Sequence, residues 1–201
     1  MKVIGLTGLV GSGKTEVADY VVRAFDAIAL KTDLIAADFT MKGNICYEPI
    51  VKLLGKECLR EDGEIDRSKM ADIIFDESNA TLLSDVNKII HGAVIDFVKK
   101  EVDIFRKKNK NGRGLMVIES ALLFKSGLNN YCDECWYVSV SYETRRERLK
   151  NSRGYSYEKT DSILKNQEPD LELRRLCDII INNDGDFSDT EKAVNALLVN
   201  D

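Results

Sequence analysis

The chain predicts an α/β fold in which short buried strands alternate with helices. Three observations carry this. An apolar run of Val3, Ile4 and Leu6 breaks into a glycine-rich turn, then an amphipathic helix follows with Val17, Ala18, Val21 and Val22 at helical spacing. Apolar runs recur later, at Leu115-Met116-Val117-Ile118, Trp136 to Val140 and Asp178 to Ile181, and the first of these is continuous enough to read as a buried parallel strand. Between the early and late runs, from Tyr47 to Arg106, the pattern is helical and strand character is lost. A length of 201 residues allows one core with an inserted subdomain.

The first strand and helix enclose Gly8-Leu9-Val10-Gly11-Ser12-Gly13-Lys14-Thr15, the pattern G-x-x-x-x-G-K-[ST]. The chemistry needs this spelling. Gly11 and Gly13 let the backbone curl until successive N–H groups point at one anion. A helix opening at Lys14 aims the positive end of its dipole at the same spot. Lys14 can reach the β- and γ-phosphates, and the Thr15 hydroxyl can ligate Mg²⁺. Strand, turn and helix agree, so this is a phosphate-binding loop (P-loop). It predicts that Gly8, Gly11, Ser12, Gly13, Lys14 and Thr15 hold a nucleoside triphosphate.

A second strand, Ala27 to Leu30, runs into Lys31-Thr32-Asp33 and a helix through Leu34, Ile35, Ala36 and Phe39. Ligands of such sheets sit beyond the carboxyl ends of the strands. Asp33 is therefore either a carboxylate that orients an acceptor hydroxyl or an N-cap of the next helix. In the helical stretch, Lys69, Asp72 and Asp76 lie opposite Met70, Ile73, Ile74 and Phe75. A long apolar stripe then runs from Leu82 to Val98 and carries the single histidine, His91. Lys107 to Gly114 reads as a solvated loop. Glu119, closing the third strand, is placed either to meet Mg²⁺ through water or to support another ligand.

After the fourth strand comes the one dense cationic stretch, Thr144-Arg145-Arg146-Glu147-Arg148, with Arg153 close behind. A solvated helix face with local ion pairs is one reading. A lid whose arginines offset charge on a transferring phosphoryl group is the favoured one. It assigns Arg148 and Arg153 to the site and leaves Arg145 and Arg146 on the surface. A fifth strand, the turn Asn182-Asn183-Asp184-Gly185 and a terminal helix with Val194, Leu197 and Leu198 complete the chain.

Composition excludes several classes. The chain is 44% hydrophobic and 31% charged with a net charge of −5, which argues against a broad nucleic-acid surface. No apolar run approaches the ~20 residues of a membrane span, and a secretory signal pattern is absent. Five cysteines, an odd number, suggest free thiols in a cytoplasmic protein. Cys132 and Cys135 have zinc-like spacing without a second pair. The expected partner is a small molecule, with no nucleic acid or membrane, and the default state is a monomer.

Several fragments align as one pattern. Beyond the P-loop these are Asp33 to Ala36, Asp62-Gly63-Glu64-Ile65-Asp66-Arg67 with Ile74-Phe75, Val86 to His91, Leu122-Leu123-Phe124, Arg148-Leu149, Gln167 and Asp178 to Asn183. From about Val3 to Asn183 the chain resembles the dephospho-coenzyme A kinases. The resemblance implies a five-stranded parallel sheet flanked by helices in a three-layer α/β/α P-loop fold. A core of about 1–35, 112–142 and 177–201 would carry a helical substrate-binding insertion of about 36–111 and a lid of about 143–176. It implies transfer of the γ-phosphoryl group of ATP, with Mg²⁺, to the ribose 3′-hydroxyl of dephospho-CoA. Lys14, Asp33, Arg148 and Arg153 would be catalytic, and Asn183 would lie near the adenine. His91, Leu122 and Leu123 would face the acceptor.

The chain departs from the family pattern at several places. Lys31 stands for an aspartate, Ala37 for an arginine, Gly92 and Ala121 for prolines, Lys125 for a glutamate and Asp170 for an arginine, while Arg153 falls one place late. Two other functions stay open on these substitutions: a kinase of a nucleoside or deoxynucleoside monophosphate, and a non-catalytic ATP-binding regulator.

Overall fold

The computed structural model describes residues 1–76, 79, 81–110, 112 and 114–199. Asn111 and Arg113, part of the expected solvated loop, lie outside the described residues. The chain forms two compact units, one of Met1–Lys31 with Val102–Asp201 and one of Thr32–Glu101.

The first unit is built on a parallel sheet with strand order β2-β3-β1-β4-β5. Its strands are β1 (Lys2–Thr7), β2 (Ile28–Lys31), β3 (Leu115–Glu119), β4 (Glu134–Ser139) and β5 (Ile179–Asn182). β1 is central, pairing Ile4 with Val117 on one side and with Glu134 on the other. A strand covered on both faces must be apolar throughout, and Val3, Ile4 and Leu6 are buried accordingly. α1 (Lys14–Phe25) and α9 (Phe187–Val199) cover one face, where Val17, Val21 and Val194 pack with Ile4, Leu6, Val117 and Trp136. Leu9, Tyr137 and Leu173 form a smaller core with Phe124 and Leu164. Here α6 (Tyr142–Arg153), α7 (Tyr157–Lys165) and α8 (Asp170–Leu176) follow one another.

Strand boundaries differ slightly from the sequence reading, for local reasons. α1 ends at Asp26 in the left-handed region, at φ 52°, so Ala27 turns into the core before pairing starts at Ile28. β4 starts earlier than expected because charged Glu134 pairs with Ile4 and also accepts from the Trp136 indole at 2.6 Å. Gly5 leaves room on β1 for the segment after β3: a Cβ there would lie 2.8 Å from both Cys132 Sγ and a Leu123 methyl.

The second unit is helical: α2 (Thr32–Phe39), α3 (Tyr47–Leu54), α4 (Arg67–Ile74) and most of α5 (Leu82–Lys108). Cys46, Tyr47, Ile50, Leu54, Cys58, Ile65 and Val86 form its core, and Phe39 meets Phe97 edge-on at 5.6 Å. The segment Asp62 to Arg67 is a turn followed by a helix cap. Gly63 takes φ 81°, and the Asp66 carboxylate caps α4 by accepting from Ser68 and Lys69 N–H groups. Phe75, expected on the apolar face of that helix, instead follows its last turn and is exposed.

Candidate active site

The loop between β1 and α1 is held open by contacts that only glycine permits. Gly11 and Gly13 have φ values of 78° and 85°. A Cβ on Gly11 would meet the stems of Arg145 and Leu149 at 3.0 Å, and one on Gly13 would lie 2.3 Å from Asn183 Nδ2.

The loop's amides divide into two sets. The Val10 N–H donates to Gln167 Oε1 at 3.0 Å, and the Ser12 N–H donates to Leu9 O at 3.1 Å. The Val17 N–H closes the first turn on Gly13 O at 3.1 Å. The N–H groups of Gly11, Gly13, Lys14, Thr15 and Glu16 have no acceptor among the described residues. A helix start always leaves such donors, and here they cluster where the dipole favours an anion.

A cavity of about 610 Å³ opens over these donors. The loop and first turn of α1 contribute Gly11, Gly13, Lys14 and Thr15, and α6 contributes Arg148, Ser152 and Arg153. Three cations thus line one cavity of an acidic chain. The Ser12 side chain is fully buried and is not among the lining residues, so Ser12 serves the loop from beneath. Gly8 sits under the loop too, with no space for a side chain against Val138 O.

Beside the cavity, Thr15 Oγ1 donates to Glu119 Oε1 at 2.7 Å. Glu119 is 7% exposed at the end of β3, so its carboxylate is held rather than solvated. Lys31, in register with Glu119, binds Asp19 on α1 at 2.5 Å. The positive charge that replaces the family's aspartate thus has a local partner.

Arg148 donates to Asn183 O at 2.8 Å, while Arg153 ends α6 beside Tyr155, 5.9 Å from the ring centre. Arg145, expected on the surface, is 5% exposed and donates to Val140 O. It is buried because Asp170 receives it: Arg145 lies 3.8 Å from that carboxylate, which also accepts from Arg174 at 2.5 Å and from the Tyr137 hydroxyl. Burial opposes ionisation of Asp170, but the Tyr137 and Arg174 bonds and the two arginine charges hold its carboxyl below the usual range. Burial and the same carboxylate push the Tyr137 phenol up. The Arg146 guanidinium lies over the Tyr157 and Tyr142 rings, 4.0 and 5.0 Å from their centres.

The remaining expected site residues separate. Leu123 is fully buried beneath Gly5, whereas Leu122 is exposed. Asp33 and His91 belong to the helical unit. Asp33 is exposed, and since α2 opens at Thr32 it lies inside the first turn rather than at the cap. His91 is half-buried on α5. The Cys132 thiol donates to Leu128 O at 3.5 Å, and its interaction with the neighbouring Cys135 thiol pushes Cys132 up and Cys135 down. Among the described residues no three His, Cys, Asp or Glu side chains form a metal-binding group, and no helix is long and apolar enough to cross a membrane.

Sequence reasoning passed over Thr190 and Arg174 and noted Asp170 only as a departure from the family pattern, although its carboxylate gathers Tyr137 and Arg145 from far along the chain. It noted Gln167 only as a point of resemblance, although that side chain engages the loop itself.

Unengaged amides at a helix start, a lysine among them and arginines facing them suit a phosphoryl group in transfer, and the fold around them is that of the P-loop kinases. The family model described as CoaE, dephospho-CoA kinase, matches residues 2–189, and the chain belongs to that family of ATP-dependent phosphotransferases. The dephospho-CoA kinase of Bacillus anthracis is 34% identical over 98% of this chain and 95% of its own. That of Aquifex aeolicus is 36% identical over 96% of this chain and 94% of its own. Among solved structures, a Thermus thermophilus protein has a TM-score of 0.80 at 25% identity, covering 99% of this chain and 97% of its own. The dephospho-CoA kinase of Campylobacter jejuni has a TM-score of 0.65 at 18% identity, covering 99% and 96%, and supports the fold.

Proposed function

We propose that the chain transfers the γ-phosphoryl group of ATP to the ribose 3′-hydroxyl of dephospho-CoA, giving CoA and ADP. The observation that carries the phosphate half of this reading is the set of unengaged amides beneath a cavity lined by Lys14, Arg148 and Arg153. The acceptor comes from the family.

In this reading the amides of Gly11, Gly13, Lys14, Thr15 and Glu16 cradle the phosphates and Lys14 spans the β and γ groups. Arg148 and Arg153 offset charge on the equatorial oxygens of the moving phosphoryl. No covalent enzyme intermediate is needed, because positioning and charge stabilisation suffice. Thr15 and Glu119 suit Mg²⁺: a hydroxyl and a carboxylate supply hard oxygens, and this ion takes few protein ligands beside phosphates and water. When bound, Mg²⁺ would neutralise charge on the phosphates. Asp33 would orient the acceptor hydroxyl and accept its proton; its position two residues past the end of β2 supports this. His91 and Leu122 would belong to the acceptor side, the helical unit to substrate binding and residues from about 143 to 176 to the lid. A cytoplasmic location accords with five unpaired cysteines.

The Asp33→Asn variant tests this division of labour. ATP affinity should stay as in the unaltered chain while turnover with dephospho-CoA falls by about 10²–10⁴-fold. Unchanged turnover would remove Asp33 from the mechanism.

A further inference from the structure

Asn183 follows β5 and is 1% exposed. Its backbone N–H donates to Ser139 O at 2.8 Å, and its carbonyl accepts from Arg148. Its amide Nδ2 donates to Ser12 O at 2.8 Å, inside the P-loop. Its Oδ1 accepts from Thr190 Oγ1, also at 2.8 Å. Thr190 is 2% exposed on α9 and lies 3.2 Å from Asn182 O as well. A hydroxyl has one proton to give, and the shorter contact is the one to Asn183.

The direction of this relay is fixed by chemistry. Ser12 O can only accept, so the nitrogen side of the Asn183 amide must face it and the oxygen side must face Thr190. Thr190 must then donate. Flipping the amide would set two oxygens against each other at Ser12. The Ser12–Gly13 peptide is planar and trans, so its C=O and N–H point opposite ways. Pinning Ser12 O on Asn183 turns the Gly13 N–H away from that bond. Gly13 lines the cavity, and its N–H is among the unengaged donors.

We propose that Thr190 is a positioning residue for triphosphate binding: its hydroxyl fixes the Asn183 amide, which sets the P-loop peptide that presents the Gly13 N–H. Asn183 thereby acts on the nucleotide through the loop, and through its carbonyl it also holds Arg148 in the cavity wall. The inference rests on the proposed ATP site.

The test uses Thr190→Val, which keeps the shape and removes the proton, and Thr190→Ser, which restores it. Val194→Ala is a control elsewhere on α9, fully buried in the core. ATP affinity by calorimetric titration, both KM values and the melting temperature are measured for each. Thr190→Val should weaken ATP binding by about tenfold, the worth of one buried hydrogen bond. Its KM for dephospho-CoA should move by less than about twofold, and Thr190→Ser should recover ATP affinity. Val194→Ala should melt at a lower temperature with ATP affinity unchanged. If Thr190→Val also melts lower with ATP affinity intact, or if Thr190→Ser does not restore affinity, the inference is overturned. Failure of the unaltered chain to bind ATP would overturn inference and site together. Binding without transfer to dephospho-CoA would sink only the acceptor, with the inference still decided by the affinities.

Discussion

Thr15 Oγ1 and Glu119 Oε1 stand 2.7 Å apart, joining the first turn of α1 to the end of β3. One oxygen comes from the P-loop motif and the other from a strand end that no local pattern connects to it. In the proposed reading these two oxygens would hold Mg²⁺. The Glu119→Gln variant keeps the shape and removes the charge. Mg²⁺ affinity in the turnover assay should fall by about 10–100-fold, the range for losing a supporting carboxylate. An unchanged Mg²⁺ titration would separate Glu119 from the metal.

Gly13 is constrained twice, by its φ of 85° and by Asn183 Nδ2 lying 2.3 Å from any added Cβ. Gly13→Ala must either displace Asn183 or turn the loop. Loss of ATP binding by more than about 100-fold is expected, since several phosphate contacts shift together. A titration showing near-normal affinity would contradict the loop geometry.

Arg153 ends α6 and lines the cavity beside Tyr155, whereas Arg148 is tied to Asn183 O. Arg153→Ala should therefore lower kcat by about tenfold to 100-fold through lost charge stabilisation, with little change in melting temperature. Arg153→Lys should recover part of the rate. Full activity in Arg153→Ala would place that side chain outside the reaction.

Much of this arrangement was legible in the sequence because buried parallel strands read as continuous apolar runs and the P-loop is contiguous. What stayed hidden depends on contacts that no local sequence pattern encodes. Arg145 belongs to a stretch of cations that looks solvated, yet the Val140 carbonyl and the Asp170 carboxylate receive it in a buried position. Leu122 and Leu123 look equivalent, yet the space above Gly5 takes just one of them. Thr190 lies in an ordinary amphipathic helix, and nothing beside it in sequence shows that its hydroxyl meets an amide. The resemblance supplied the acceptor and the role of Asp33, which strand pattern alone left between catalysis and capping.

The Asp170 cluster predicts a pH dependence of stability. The folded-state carboxyl is depressed, so its contribution is present above the unfolded value near about 4 and is lost as pH falls through the folded value. Tyr137 is raised, so its contribution is full below about 10 and is lost as pH rises through the folded value. Asp170→Asn should melt lower by a few degrees at neutral pH, and the gap should narrow as the pH falls below about 4. A gap that is constant across this range would mean that the charge of Asp170 is irrelevant.

The acceptor is decided by ADP release measured with ATP, Mg²⁺ and either dephospho-CoA or a panel of nucleoside and deoxynucleoside monophosphates. Robust turnover is expected with dephospho-CoA and none above background with the monophosphates. Silence with dephospho-CoA beside turnover of a monophosphate would contradict it. The substitutions at Lys31, Ala37 and Lys125 would then mark a change of substrate on a retained fold.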